Sequence, residues 1–160
     1  MLDGIFVTGT DTGVGKSLIS AGLHRAALRR GIPATIFKPV QTGCVRGRGG
    51  ELVAPDAELY RQASVGLPGG RIDVGYRFQP ACSPHLAERL GGEAVSYAAL
   101  LDRVRQHRGR DGFLLVEGAG GVLCPLNSSK TMLDLARGAG LPVLVVSDNR
   151  LGMINHTLLT

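Results

Sequence analysis

Lysine is scarce in this chain: of its eighteen basic residues only Lys16, Lys38 and Lys130 are lysines, and the first two stand where an anion would be handled. Lys16 belongs to Val7-Thr8-Gly9-Thr10-Asp11-Thr12-Gly13-Val14-Gly15-Lys16-Ser17, a glycine-spaced, hydroxyl-rich turn between a short apolar run and an amphipathic one. Backbone N–H groups of such a turn converge on phosphate oxygens, and the helix that follows directs the positive end of its dipole at them. There Lys16 adds a mobile charge and the Ser17 hydroxyl can hold a magnesium ion. The spacing is unusual, with five residues between Gly9 and Gly15 and Thr10 where the common pattern has glycine. The competing reading is a strand-to-helix turn that touches no ligand. Against it stands the order of strand, Gly-Lys-Ser and helix, which is the order the mechanism demands.

Glu117 directly follows the apolar run Phe113-Leu114-Leu115-Val116 and precedes Gly118-Ala119-Gly120-Gly121, so it stands at the carboxyl end of an expected strand. A hard cation needs oxygen ligands near an octahedron, and Ser17, Glu117 and a third carboxylate would supply them beside the phosphates. Asp56 is the candidate for the third; as a first-turn acid it could equally serve only its helix dipole. Lys38 follows the run Ala34 to Phe37 and can emerge at the same sheet edge. Two lysines at one anionic centre suggest more negative charge than a nucleotide alone carries, whereas a lysine snorkelling into water would carry no such meaning. Gln41 and Thr42 lie just beyond, in reach of a polar substrate.

Strands and helices must bring these residues together. Gly4 to Thr8 reads as a buried strand, and Leu18, Ile19, Gly22, Leu23, Ala26 and Ala27 recur at helical spacing up to about Arg30, where Gly31 supplies a stop. Ala34 to Phe37 is a second strand, so the unit is strand-helix-strand with a right-handed crossover. Residues 43 to 50, rich in glycine and arginine, are expected to be a mobile surface loop. A helix enters at Ala54 to Tyr60, Arg71 to Phe78 is a strand or extended connection, and Ser83-Pro84-His85 starts a helix with Ser83 capping. A helix over about Ser96 to His107, the strand Phe113 to Val116, a helix over Met132 to Arg137, a strand over Pro142 to Ser147 and a helix from Ile154 to Leu159 complete the pattern. Ligand-type loops after the strands at Thr8, Phe37, Val116 and Ser147 point to a doubly wound, mainly parallel α/β sheet with its site along the strand carboxyl ends.

Composition bounds the remaining choices. The length suits one domain, residues 1–160, and the apolar fraction of 44% with 19% charged residues is that of a soluble globular protein. A net charge of +5 and a pI near 9.6 could suggest nucleic acid. The arginines, however, fall on expected helix surfaces, such as Arg25, Arg29 and Arg30 or Arg103, Arg105, Arg108 and Arg110, without interleaved aromatics, so a solvated face is the simpler reading. Cys44, Cys82 and Cys124 are far apart and odd in number, as reduced thiols of a cytoplasmic protein would be. No apolar stretch is long enough to span a bilayer and no leader opens the chain, so no membrane partner is expected. Leu158-Leu159-Thr160 carries no helix stop, which reads as a helix interrupted in its middle.

Five short blocks, Gly9 to Ser17, Lys38-Pro39-Val40-x-Thr42-Gly43, Ser83-Pro84-His85, Val116 to Gly121 with Pro125-Leu126, and Leu151-Gly152-x-Ile154-Asn155-His156, resemble dethiobiotin synthetases in content and order. The five-residue loop spacing is itself a mark of that family. The resemblance implies a P-loop NTPase-like fold and an ATP- and Mg2+-dependent carboxylation and ring closure, in which 7,8-diaminopelargonate takes up CO2 as a carbamate that ATP phosphorylates. It also implies roles by position. Gly13, Val14, Gly15, Lys16, Ser17 and Leu18 would wrap the phosphates with Glu117, Gly118, Ala119 and Gly120 alongside, and Ser17, Asp56 and Glu117 would hold Mg2+. Lys38, Thr12 and Lys16 would act on the transferred group, Thr42 would touch the diamine, and Gly152, Met153, Ile154 and Asn155 would receive the substrate carboxylate across a homodimer interface. Gly13 stands where some members carry an acid, and the family continues beyond the matching part with an adenine-binding segment. The alternatives are a non-catalytic phosphate-binding homologue and a related corrin-acid amide ligase; the helix entry at Gly152 to Asn155 weighs against the latter. A partitioning-type ATPase switch would carry an extra lysine where Asp11 and Thr12 stand.

Overall fold

The computed structural model describes residues 3–160 apart from 109 and 111. Strands β1 (Gly4–Gly9), β2 (Ala34–Gln41), β5 (Gly70–Arg77), β6 (Phe113–Gly121) and β7 (Val143–Val146) form one sheet in the order β5-β2-β6-β1-β7. Every neighbouring pair in it is parallel. Its connections carry helices α1 (Lys16–Arg29), α2 (Pro55–Ala63), α3 (Pro84–Gly91), α4 (Tyr97–Arg108) and α5 (Met132–Ala139), and α6 (Met153–Leu159) follows β7.

Strand side chains alternate between faces, and the two faces have different partners. Phe6, Phe37, Leu114 and Val116 pack with Leu100 and Val104 of α4, Leu135 and Ala136 of α5 and Ala87 of α3. Val7, Ile36 and Leu115 pack on the other face with Ala21 of α1 and Tyr60 of α2. The sheet is therefore doubly wound. The same period carries the strand ends onto defined faces: Lys38 is two residues from Ile36 and Glu117 two from Leu115, so both belong to the side of α1 and α2.

Several sequence expectations need correction. Residues 43–50 are not simply a loop: Val45–Arg46 (β3) and Leu52–Val53 (β4) pair antiparallel, and Cys44 is buried with its thiol on the Gln41 carbonyl. Strand β2 runs past Phe37 through Lys38 to Gln41, tolerating Pro39 because only β5 pairs with it there. Strand β6 likewise includes Glu117 to Gly121, with a register shift against β1 between Val7 and Gly9. Ser83 sits at the α3 N-cap, yet its hydroxyl pairs with His85 Nδ1 at 2.9 Å instead of capping. In α1 the buried positions are Lys16, Ser20, Ala21, His24 and Leu28, while Leu18, Ile19 and Leu23 are exposed. Leu18, Ile19 and Leu23 of the apolar stripe read from the sequence thus face away from the sheet, and α1 packs through Ser20, Ala21, His24 and Leu28. Nor is the α4 arginine face merely solvated. Arg103 Nη2 donates to Asp73 Oδ1 at 2.7 Å and lies over the Phe37 ring, and Arg108 binds Asp3 and the Ala139 carbonyl.

Candidate active site

The carboxyl ends of β1, β2 and β6 surround a cavity of about 340 Å3. Between β1 and α1 the backbone turns through Gly13 (φ 79°) and Gly15 (φ 99°), the latter at the α1 N-cap, where no side chain caps the helix. Those left-handed angles are what glycine permits. Gly9 is needed for a different reason: a Cβ there would lie 2.7 Å from Val14 Cγ2 and 3.1 Å from Lys16 Nζ. The helix thus starts with free N–H groups facing the cavity mouth. Lys16 Nζ folds back across the loop to the Asp11 carbonyl at 2.6 Å, and the Thr12 N–H is held by Asp11 Oδ1 at 2.7 Å.

Lys38 stands at the centre of the charged group. Its Nζ lies 2.6 Å from Asp56 Oδ2 and 2.7 Å from Glu117 Oε1. The same Glu117 oxygen accepts from Ser17 Oγ at 2.8 Å, and the other, Oε2, accepts from the Tyr60 hydroxyl at 2.7 Å. Asp56 occupies the first turn of α2 behind Pro55, so it meets the helix dipole and the lysine at once. Glu117 is wholly buried and Lys38 and Lys16 nearly so, which makes each missing partner costly.

Burial acts on both lysines with opposite results. Burial lowers the Lys16 pKa below the ordinary lysine value, the Lys38 charge lowers it further, and Glu117, Asp11 and Asp56 oppose this without cancelling it. For Lys38 burial also pulls downward, but the Glu117 and Asp56 charges and their hydrogen bonds outweigh it, so its pKa is raised and the ammonium stays charged. Burial, with the Glu117 and Asp56 charges behind it, holds the Tyr60 phenol far above its usual range, so its hydroxyl is a permanent donor.

Of the residues picked from sequence, Thr12, Gly13, Gly15, Lys16, Ser17, Leu18, Lys38, Thr42, Asp56, Ala119 and Gly120 line the cavity, and Glu117 lies directly behind it. Gln41 lines it too and donates to the Thr42 carbonyl at 2.9 Å. A second recess of about 410 Å3 shares Thr12, Thr42, Ala119 and Gly120 and extends to Ser83, Cys82 and Cys124. Gly152, Met153, Ile154 and Asn155 line neither; they start α6, which has no buried residue. Tyr60 was not foreseen. The signal was available in its spacing of four from Asp56, which puts both on one face of α2.

Comparison with known proteins agrees with this geometry. Residues 3–160 match a family model described as an AAA domain. A protein of Anaeromyxobacter dehalogenans named ATP-dependent dethiobiotin synthetase BioD is 44% identical over 157 residues, covering 98% of this chain and 68% of that protein. The protein of that name from Pseudomonas paraeruginosa is 44% identical over 97% of this chain and 68% of its own length. The one from Anoxybacillus flavithermus is 38% identical over 99% and 71%. With its phosphate loop, its paired lysines and this likeness along nearly its whole length, the chain belongs to the dethiobiotin synthetase family.

Proposed function

We propose that this chain forms dethiobiotin from 7,8-diaminopelargonate, CO2 and ATP, acting as one P-loop α/β domain over residues 1–160. The observation that carries this reading is the meeting of Lys16 and Lys38 with the Ser17, Asp56 and Glu117 oxygens around one cavity. That is provision for more negative charge than a bound triphosphate brings.

In the reaction a diamine nitrogen bonds to the carbon of CO2 and loses a proton, giving a carbamate. A carbamate oxygen takes the γ-phosphoryl group as the terminal P–O bond of ATP breaks, leaving ADP. The second amine then attacks the carbamate carbon, phosphate leaves with its C–O bond electrons, and the ureido ring is closed. Gly13, Val14, Gly15, Lys16, Ser17 and Leu18 wrap the phosphates, opposite Gly118, Ala119 and Gly120. Lys16 balances charge on the group in transfer, Lys38 stabilises the carbamate and its phosphate anhydride, and Thr12 donates to the transferred oxygens. Thr42 touches the diamine where the two recesses meet.

The donor set suits Mg2+. Ser17, Asp56 and Glu117 offer oxygen alone, and among the described residues no group of three or more His, Cys, Asp or Glu gathers into an all-protein cage. Such a set fits a hard cation that completes its shell with water and phosphate oxygens. When bound there, the ion supplies neutralisation of phosphate charge.

The chain acts as a homodimer in this reading, with Gly152, Met153, Ile154 and Asn155 of each copy receiving the substrate carboxylate of the other. Their absence from the lining of their own cavity and the exposure of Leu151, Ile154 and Leu158 support it. The free thiols of Cys44, Cys82 and Cys124 suit a reducing cytoplasm. Among the described residues no helix is long and apolar enough to cross a membrane. The test is purified chain with ATP, Mg2+, bicarbonate and 7,8-diaminopelargonate. Dethiobiotin and diamine-dependent phosphate release are expected; nucleotide binding without turnover would identify a phosphate-binding homologue instead.

A further inference from the structure

The two oxygens of Glu117 live in different surroundings. Oε1 is met by Ser17 Oγ and Lys38 Nζ, groups that also line the cavity, whereas Oε2 is turned into the core and, among the described residues, accepts only from Tyr60. A glutamate's terminal torsion is broad and its two oxygens are equivalent, so nothing intrinsic to the side chain decides how the carboxylate plane is turned toward the cavity. Tyr60 supplies that decision. Its ring is fully buried among Val7, Ile36 and Leu115, so packing places the hydroxyl before any ligand arrives. It stands one turn after Asp56 on α2, so the helix that presents one carboxylate to the cavity also clamps the other.

We infer that Tyr60 is a positioning residue: by donating to Glu117 Oε2 it fixes the carboxylate so that Oε1 is presented to Ser17, Lys38 and the incoming divalent cation. Tyr60 lines neither recess and acts only through Glu117. This rests on the reading of Glu117 as a metal-holding group. Groups behind a metal ligand typically contribute about 10–100-fold to metal affinity.

The test measures binding of a fluorescent non-hydrolysable ATP analogue with Mg2+ and with EDTA, the ratio of the two affinities being the metal's contribution. Tyr60→Phe keeps the ring and removes only the donor. It is expected to reduce the Mg2+ contribution roughly ten-fold or more while leaving the affinity in EDTA near that of the unaltered protein; the thermal midpoint in EDTA falls, because Oε2 of the buried Glu117 loses its donor. In a Glu117→Gln background the same change is expected to add nothing. Three results would overturn the inference: an unchanged Mg2+ contribution in Tyr60→Phe, an equal loss of affinity in EDTA, which marks a purely structural role, or an undiminished effect in the Glu117→Gln background. If the unaltered protein itself shows no Mg2+ contribution, the metal reading fails and the inference with it, a result distinguishable from the others because it needs no variant.

Discussion

Lys38 is held by the same contacts that make it useful. Its ammonium separates the Asp56 and Glu117 carboxylates, so truncating it removes the group proposed to act in the reaction and leaves two acids facing each other, one of them fully buried. Lys38→Ala is expected to lower turnover at least about 100-fold, the scale of losing a charge-stabilising donor. In EDTA it should also destabilise the fold by ~3 kcal/mol, the cost of an unpartnered buried charge. Millimolar Mg2+ should restore part of that stability, since a cation that binds the folded carboxylates takes over the ammonium's place. Dethiobiotin formation and thermal unfolding with and without Mg2+ check both parts, and unchanged turnover would remove Lys38 from the mechanism. Gly9 makes a second case. With a Cβ aimed at Val14 and the Lys16 ammonium, Gly9→Ala should displace Lys16 and weaken nucleotide binding in a direct titration. Ser17, Lys38, Asp56 and Glu117 were legible because each follows a short apolar run or opens a helix, which the hydropathy pattern reveals even though β2 and β6 themselves run on through Lys38 and Glu117. Tyr60 was hidden because a tyrosine in an amphipathic helix reads as core until Glu117 is seen behind it.

Helix α1 shows where pattern reading fails at the scale of an element. Its apolar residues at helical spacing established that a helix was there, but the face that packs carries Ser20, Ala21, His24 and Leu28. Close approach explains the inversion. A Cβ on Gly70 would come within 3.0 Å of Leu28 Cδ1 and 3.2 Å of His24 Cε1, so the bare glycine of β5 is what lets these two side chains of α1 seat against the strand. His24 is fully buried, its Nε2–H donates to the Ala34 carbonyl at 3.0 Å, and its Nδ1 has no partner. Protonation would place an N–H there with no acceptor; burial accordingly lowers its pKa, against the smaller opposing effect of the Ala34 bond. The unfolded chain therefore takes up the proton first. The stability His24 provides is complete above the unfolded value of about 6.5 and declines as pH falls below it. Denaturant midpoints should drop between about pH 7.5 and about pH 5.5, and His24→Gln should flatten that slope. Asp73 makes the complementary case between β5 and α4, accepting from Arg103 at 2.7 Å and His107 at 2.8 Å. Burial would raise its pKa, but His107 and Arg103 outweigh burial and lower it. Its contribution is present above the unfolded value of about 3.9 and lost as pH falls through the lower folded one. Asp73→Asn should weaken stability at neutral pH by roughly 1–3 kcal/mol, read by urea unfolding.

For the molecule as a whole, strand-helix alternation sufficed to anticipate a doubly wound parallel sheet; of the four segments expected to converge at its carboxyl ends, those after Thr8, Phe37 and Val116 line the cavity and the one after Ser147 does not. The strand order and the β3–β4 pair were not legible, because they depend on which distant segments meet. Surface chemistry at this scale is most telling on α6, where Ile154, Leu158 and Leu159 are exposed and no residue is buried, with Leu151 exposed just before it. Since α6 contributes nothing to the core of its own copy, charging it should leave the fold intact. Ile154→Asp with Leu158→Asp is expected to stay folded, sediment as a monomer and lose dethiobiotin formation, because the residues proposed to receive the carboxylate then have no partner cavity to serve. Complementation separates loss of a shared site from loss of some other surface role. A Lys16→Ala chain and an Asn155→Ala chain are each expected to be inactive alone. Mixed in equal amounts with exchange of subunits, half of the dimers pair one of each, and in these one of the two sites draws Lys16 and Asn155 from unaltered copies. Activity should therefore return to about a quarter of that of the unaltered protein, the value that two-fold symmetry dictates. Recovery near zero, with sedimentation showing mixed dimers, would mean that each copy supplies its own Asn155 and that α6 serves the cavity of its own chain.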